Sequence, residues 1–174
     1  MSWIYLFLYQ AAWWTCALSG PFELPLIGPL TVCIQLLVWL FSVQHPLREC
    51  VLILSLSLMG IVVDSILVDS KILIIPAYFL AQPPFPPLWL ASLWISFVVG
   101  IRSCLQKIRT RYLLASFLGL VGGPLAYSGG QSLNALFLSE QAPWMLALIW
   151  AAIFPLFLRV SDHYTVQLRF QQPS

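Results

Sequence analysis

Charged residues make up only 8% of this 174-residue chain, against roughly 25% in a soluble domain. With 60% of its residues hydrophobic and a mean hydropathy of +0.90, it carries more apolar surface than a water-soluble core of this size can hide. A soluble enzyme or binding module is excluded, and the class is polytopic membrane protein. Metal-ligand spacing is also missing. Cys16, Cys33, Cys50 and Cys104 are scattered with no CxxC pair, and the 2 histidines, His45 and His163, fall in a short loop and in the tail. The cysteines read as small buried hydrophobes, and neither a metal nor any other cofactor is expected. No phosphate-cradling GxxxxGK[ST], no HExxH and no GxSxG occurs, and no histidine lies within an apolar run where it would act as a base. A net charge of +2 is too small to argue for nucleic acid. No Lys or Arg precedes the first apolar run, which is rich in Trp and Tyr. Ala17-Leu18-Ser19 therefore reads as the end of a retained helix, although it resembles a signal-peptidase site.

What the chain does hold is apolar runs long enough to approach the roughly 20 residues a membrane crossing needs. Six segments qualify: 3–19, 26–43, 50–68, 88–105, 113–133 and 144–158. Breakers mark the connections: Gly20-Pro21 with Pro25, His45-Pro46, the Pro83-Pro84-Phe85-Pro86-Pro87 cluster, and Ala142-Pro143. With no repeat and no room for a soluble domain, residues 1–174 read as one all-α domain, a polytopic bundle of about six transmembrane helices. Of the 8 basic residues, all but Lys71 fall on one side of that arrangement: Arg48, Arg102, Lys107, Arg109, Arg111, Arg159 and Arg169. The positive-inside rule puts that side, and with it both termini, in the cytoplasm. The longest connection, 69–87, is then external. It is apolar at Ile72, Leu73, Ile74, Ile75, Tyr78, Phe79 and Leu80, which suits a segment lying in the interface or dipping back into the protein.

The fifth segment is unusual. Gly119, Gly122, Gly123, Gly129 and Gly130 lie in an apolar run together with Pro124. The proline cannot donate to the carbonyl of Leu120 and its ring crowds that turn, so helix five is expected to break or kink there. At membrane depth a freed carbonyl is tolerated only where protein or water satisfies it, which turns the glycine face toward protein or a cavity.

Polar groups inside spans supply the functional candidates. At about 1.5 Å per residue, Asp64 lies about 20 Å above the inner boundary and Tyr127 about 21 Å, while Trp94 lies about 9 Å below the outer one. Gln10 and Gln35 fall nearer the middle. Asp64 stands out because carboxylates within spans are costly and normally face the bundle interior or a wet cavity. It is a candidate proton-titrating or ligand-contacting group, with a satisfied structural carboxyl as the alternative. Gly60 leaves room one turn before it. Ser92, Ser96 and Gly100, like Gly119 and Gly123, recur at a spacing that lets helices approach closely. Trp89 and Trp144 fit an aromatic belt, and Arg102 is expected to snorkel toward the basic loop.

Several of these residues recur in a recognisable order. Gln10 with Trp13, Gly60 with Asp64, Pro87-Leu88-Trp89 leading to Leu93-Trp94, and Gly122-Gly123-Pro124-Leu125-x-Tyr127 with Gly130 and Ala135 together resemble the bacterial membrane-protein family catalogued as domain of unknown function 2878. The likeness spans about residues 10–158, and Asn134 stands where that pattern leads one to expect glycine. The resemblance implies a small inner-membrane protein without an assigned activity. It also implies a genomic association with fatty-acyl modification, such as cyclopropane-fatty-acyl synthase-like enzymes.

The leading expectation is an inner-membrane protein that binds a lipid or other amphipathic ligand among helices three, four and five, as an accessory or carrier in membrane-lipid modification. The candidate ligand-binding or titrating residues are Asp64, Tyr127, Trp94, Trp89, Gln10 and Gln35. Gly60, Gly119, Gly122, Gly123, Pro124 and Gly130 would provide packing or a hinge. Membrane lipids, and other membrane proteins, are the expected partners. A small proton-coupled transporter using Asp64, an intramembrane enzyme and a structural partner of other membrane proteins are the alternatives.

Overall fold

The computed structural model describes residues 2–76 and 84–170, with side-chain surroundings for all of these except 2, 106, 107 and 166–170. Among the described residues six helices carry the fold: α1 (Ser2–Ser19), α2 (Ile27–Leu40), α3 (Pro46–Asp69), α4 (Leu88–Ser103), α5 (Tyr112–Ser132) and α6 (Ala142–Phe170). A short 3-10 turn, Leu105–Ile108, follows α4. The all-α reading holds. The helices α3, α5 and α6 (the last over Ala142–Thr165) are long and apolar enough to cross a membrane, whereas α2 and α4 are apolar but shorter.

The breakers act where their chemistry places them. Pro46 opens α3 at its first turn, where the missing N–H is one the helix does not use. The turns after α1, α3 and α5 share one closure. Leu24 N–H reaches Ser19 C=O, Ile72 N–H reaches Leu67 C=O and Ala135 N–H reaches Gly130 C=O, each at 2.9 Å. The residue just before each donor, Glu23, Lys71 and Asn134, adopts a left-handed φ of 56°, 58° and 58°. Such helix ends favour glycine, with asparagine next best. That explains both the glycine expected before Ala135 and the asparagine found there.

Pro124 gives a different result from the break considered above. It lies inside α5, which continues as one helix to Ser132. The proline removes one backbone donor, and the packing of α5 along α6 carries the helix through.

α4 is the hub, touching α1, α2, α3 and α6, while α5 and α6 pair along their lengths. The chain after α3 docks into the protein. Ile72, Leu73 and Ile75 are buried, and β1 (Leu73–Ile74) pairs antiparallel with β2 (Phe137–Leu138), matching Leu73 with Leu138. This ribbon ties the α3–α4 connection to the α5–α6 connection. Tyr78, Phe79, Leu80 and Pro83, singled out above, lie outside the described residues.

Candidate functional site

Asp64 is fully buried, and both its oxygens are engaged by side chains of other helices. Tyr127 of α5 donates its hydroxyl to Oδ1 at 2.6 Å, and Trp94 of α4 donates its indole N–H to Oδ2 at 2.7 Å. Three residues placed at one depth by helical rise alone thus meet in space, one from each of α3, α4 and α5. Both donors are neutral, so the carboxyl is held without a cation among these hydrogen-bond partners.

The surrounding packing fixes this arrangement. Gly60, one turn before Asp64, lies beneath the Trp94 ring so closely that a Cβ there would overlap it. The other face of Trp94 stacks on Trp150 of α6, with centroids 5.0 Å apart and 5° between planes. Trp150 in turn rests on the glycine face of α5: a Cβ at Gly119 would overlap its carbonyl, and one at Gly123 would overlap its ring. The small residues of α3 and α5 therefore set the position of two indoles, and the indoles aim one N–H at the carboxylate.

Beside the carboxyl is a cavity of about 70 Å³ bordered by Asp64, Trp89, Trp94, Tyr127, Gly130 and Trp150, with Tyr9, Trp13 and Ala17 of α1 among its other walls. It contacts an adjoining apolar cavity of about 300 Å³ that extends toward Leu118, Cys104 and Leu105. Trp89 is 3% exposed, and its indole nitrogen has no hydrogen-bond partner among the described residues. A stranded donor of this kind costs about 1–3 kcal/mol. The Trp89 side chain forms part of the cavity wall, and its nitrogen lies 3.7 Å from where a Cβ on Gly20 would sit. The polar side chains of the lining are the Asp64 carboxyl, the Tyr9 and Tyr127 hydroxyls and the indole N–H groups of its tryptophans.

Residues 2–156 match the model of a protein family. The chain belongs to the family described as Protein of unknown function (DUF2878). No curated protein and no solved structure matches it.

Within this DUF2878 fold the other candidates separate. Gln10 is exposed on α1 and does not border the cavity. Gln35 is fully buried but points to α4, where its Nε2 reaches the Ser96 carbonyl at 3.4 Å. Trp89 is buried at the cavity and not displayed in an aromatic belt, whereas Trp144 is 56% exposed. Gly122 stands apart from its neighbours, since a Cβ there would meet nothing within 4 Å.

Two features were missed in the sequence. Trp150 reads there as one aromatic of an apolar span, yet it is the slab on which Trp94 rests. Arg102, expected to snorkel, is buried and paired with Glu49, to which its Nε donates at 2.9 Å. It also donates to Thr165 Oγ1 at 2.7 Å and to the Ser161 carbonyl at 3.1 Å, and Trp39 Nε1 reaches Glu49 at 3.2 Å. The only signal available was an acid and a base near the same end of their spans.

Proposed function

We propose that this protein is a six-span membrane protein that holds a neutral amphiphile of the bilayer with its polar end beside Asp64. The observation that carries this reading is a cavity bordered by the hydrogen-bonded Asp64 carboxyl and Tyr127 hydroxyl and by Trp89, whose N–H has no partner among the described residues. A site with both acceptors and a free donor suits a hydroxyl or an ester carbonyl. A second carboxylate beside Asp64 would meet like-charge repulsion. The cavity's size favours a small polar end over a bulky headgroup. A cavity bordered mostly by apolar side chains suits binding of an amphiphile, which fits an accessory or carrier role in membrane-lipid modification.

The topology rests on charge. Six crossings put both termini and the basic 106–111 segment on one side, which the positive-inside rule makes cytoplasmic, in the bacterial inner membrane. The shorter α2 and α4 cross as well, α4 being enclosed by its neighbours. A bend at Pro124 within the continuous α5 belongs to the same reading. Proton-coupled transport through Asp64 is the second reading, favoured by a carboxyl whose hydrogen-bond partners are both uncharged.

Native mass spectrometry of the protein released from membranes tests the binding reading. The expected result is a stoichiometric adduct with the mass of a neutral lipid or fatty alcohol. Protein that stays adduct-free after incubation with vesicles containing such molecules overturns it.

A further inference from the structure

The larger cavity has a property the polar site does not explain. Its walls are almost wholly apolar, and it shares Tyr9, Phe97, Ala126 and Trp150 with the smaller cavity beside Asp64. The two cavities therefore adjoin across these side chains, one polar beside Asp64 and the other apolar. Its rim is exposed: Leu6 of α1 is 42% exposed and Leu118 of α5 is 41% exposed. Near the Asp64 end the seam between these helices is closed by Trp13, whose ring would lie 3.1 Å from a Cβ at Gly129. Below that contact, α1 and α5 line opposite walls. An exposed apolar groove at this depth in a bilayer faces hydrocarbon tails.

Gly122 gives the groove its width. Gly119 and Gly123 are needed for packing, because a Cβ at either would overlap Trp150. Gly122 borders the groove but has no neighbour that a side chain would strike. Close helix packing accounts for the first two glycines and leaves the third unexplained. Its missing side chain keeps the groove open.

We infer that the α1–α5 seam is a lateral groove that takes the hydrocarbon tail of a bilayer amphiphile over the Gly122 face, with the tail running from the Asp64 cavity toward the Arg102 end of the bundle. This rests on the reading of the Asp64 cavity as the seat of the polar end. From Gly130 to Leu118 the path is about 18 Å long at 1.5 Å per residue. That compares with about 15 Å for half of a 30 Å hydrocarbon core, so the groove is long enough for a single leaflet's tail.

The test uses the full-length protein in vesicles with two photoreactive fatty alcohols. One carries a diazirine near its methyl end and the other carries it beside the hydroxyl, and labelled peptides are mapped by mass spectrometry. The tail probe is expected to label the groove segments 97–105 and 118–126, and the polar-end probe the surroundings of Trp89 and Tyr127. Gly122→Leu should lower tail labelling in the groove about tenfold, equivalent to about 1.4 kcal/mol of binding, with thermal stability unchanged. Gly122→Ala should give a smaller drop. If the polar-end probe labels its site while the tail probe labels only outward residues such as Ile66 and Leu113, the groove is overturned and the polar site stands. If neither probe labels its segment, both are overturned. Groove labelling that is unaltered in a folded Gly122→Leu protein also overturns the inference.

Discussion

Trp94 and Trp150 lie face to face, with ring centroids 5.0 Å apart and planes 5° from parallel. The stack joins α4 to α6, and through Gly60, Gly119 and Gly123 it also determines how closely α3 and α5 approach. An aromatic pair contributes about 0.5–1.5 kcal/mol beyond the area it buries. Its larger effect here is positional, since it orients the N–H that Trp94 gives to Asp64. Trp150→Leu should therefore lower thermal stability and also weaken ligand binding at the Asp64 cavity, two readouts that a remote packing change would not move together.

The glycines of α5 should behave unequally. Gly123→Ala and Gly119→Ala each force an atom into Trp150 and should destabilise by about 1–3 kcal/mol, the usual range for overpacking. Gly122→Ala meets open space and should leave stability unchanged or slightly raised, as alanine is the better helix former. Thermal unfolding of the three variants in one detergent checks the order.

Asp64 accepts two hydrogen bonds, so its replacements separate charge from geometry. Asp64→Leu strands the Tyr127 hydroxyl and the Trp94 N–H, at about 1–3 kcal/mol for each buried donor. Asp64→Asn keeps one acceptor and adds a donor, to which the Tyr127 hydroxyl can turn as acceptor. It should therefore lie between wild type and Asp64→Leu in thermal stability. An Asp64→Leu protein as stable as wild type would contradict the described hydrogen bonds.

At the other end of the bundle, Glu49 and Arg102 form a buried pair. Arg102→Met leaves Glu49 buried without its cation and should destabilise by about 3–5 kcal/mol. Glu49→Leu combined with Arg102→Met should recover much of that loss, because an apolar pair replaces a desolvated ionic one. Denaturation of the single and double variants measures the coupling.

The sequence carries depth but not azimuth, and this divides what was legible from what was not. Helical rise places Asp64, Trp94 and Tyr127 within one layer, and the unusual positions of Gly60 and Gly123 indicate close approach around them. Helical rise cannot show which helices are neighbours, and so it places Gln10 in the same class as Asp64 although it is exposed. The Glu49–Arg102 pair was hidden for the same reason. Arg102 ends an apolar run beside a basic loop, and a long side chain in that position ordinarily snorkels; only the placement of α3 against α4 brings an acid within its reach. Pro124 shows another limit. A local rule forecasts a break or kink, and α5 runs on as one helix from Tyr112 to Ser132.

Trp89 provides the most direct test of the amphiphile site. Its buried N–H has no partner among the described residues, so replacing the donor with an apolar ring should be nearly neutral or stabilising for the fold. If the N–H serves a ligand, the same change weakens binding. The measurement is the affinity of the delipidated protein for a long-chain fatty alcohol, for wild type and Trp89→Phe, beside thermal unfolding of both. The account predicts binding by wild type, about tenfold weaker binding by Trp89→Phe and no loss of stability. Equal affinity for the two folded proteins, or no binding by wild type, would contradict it.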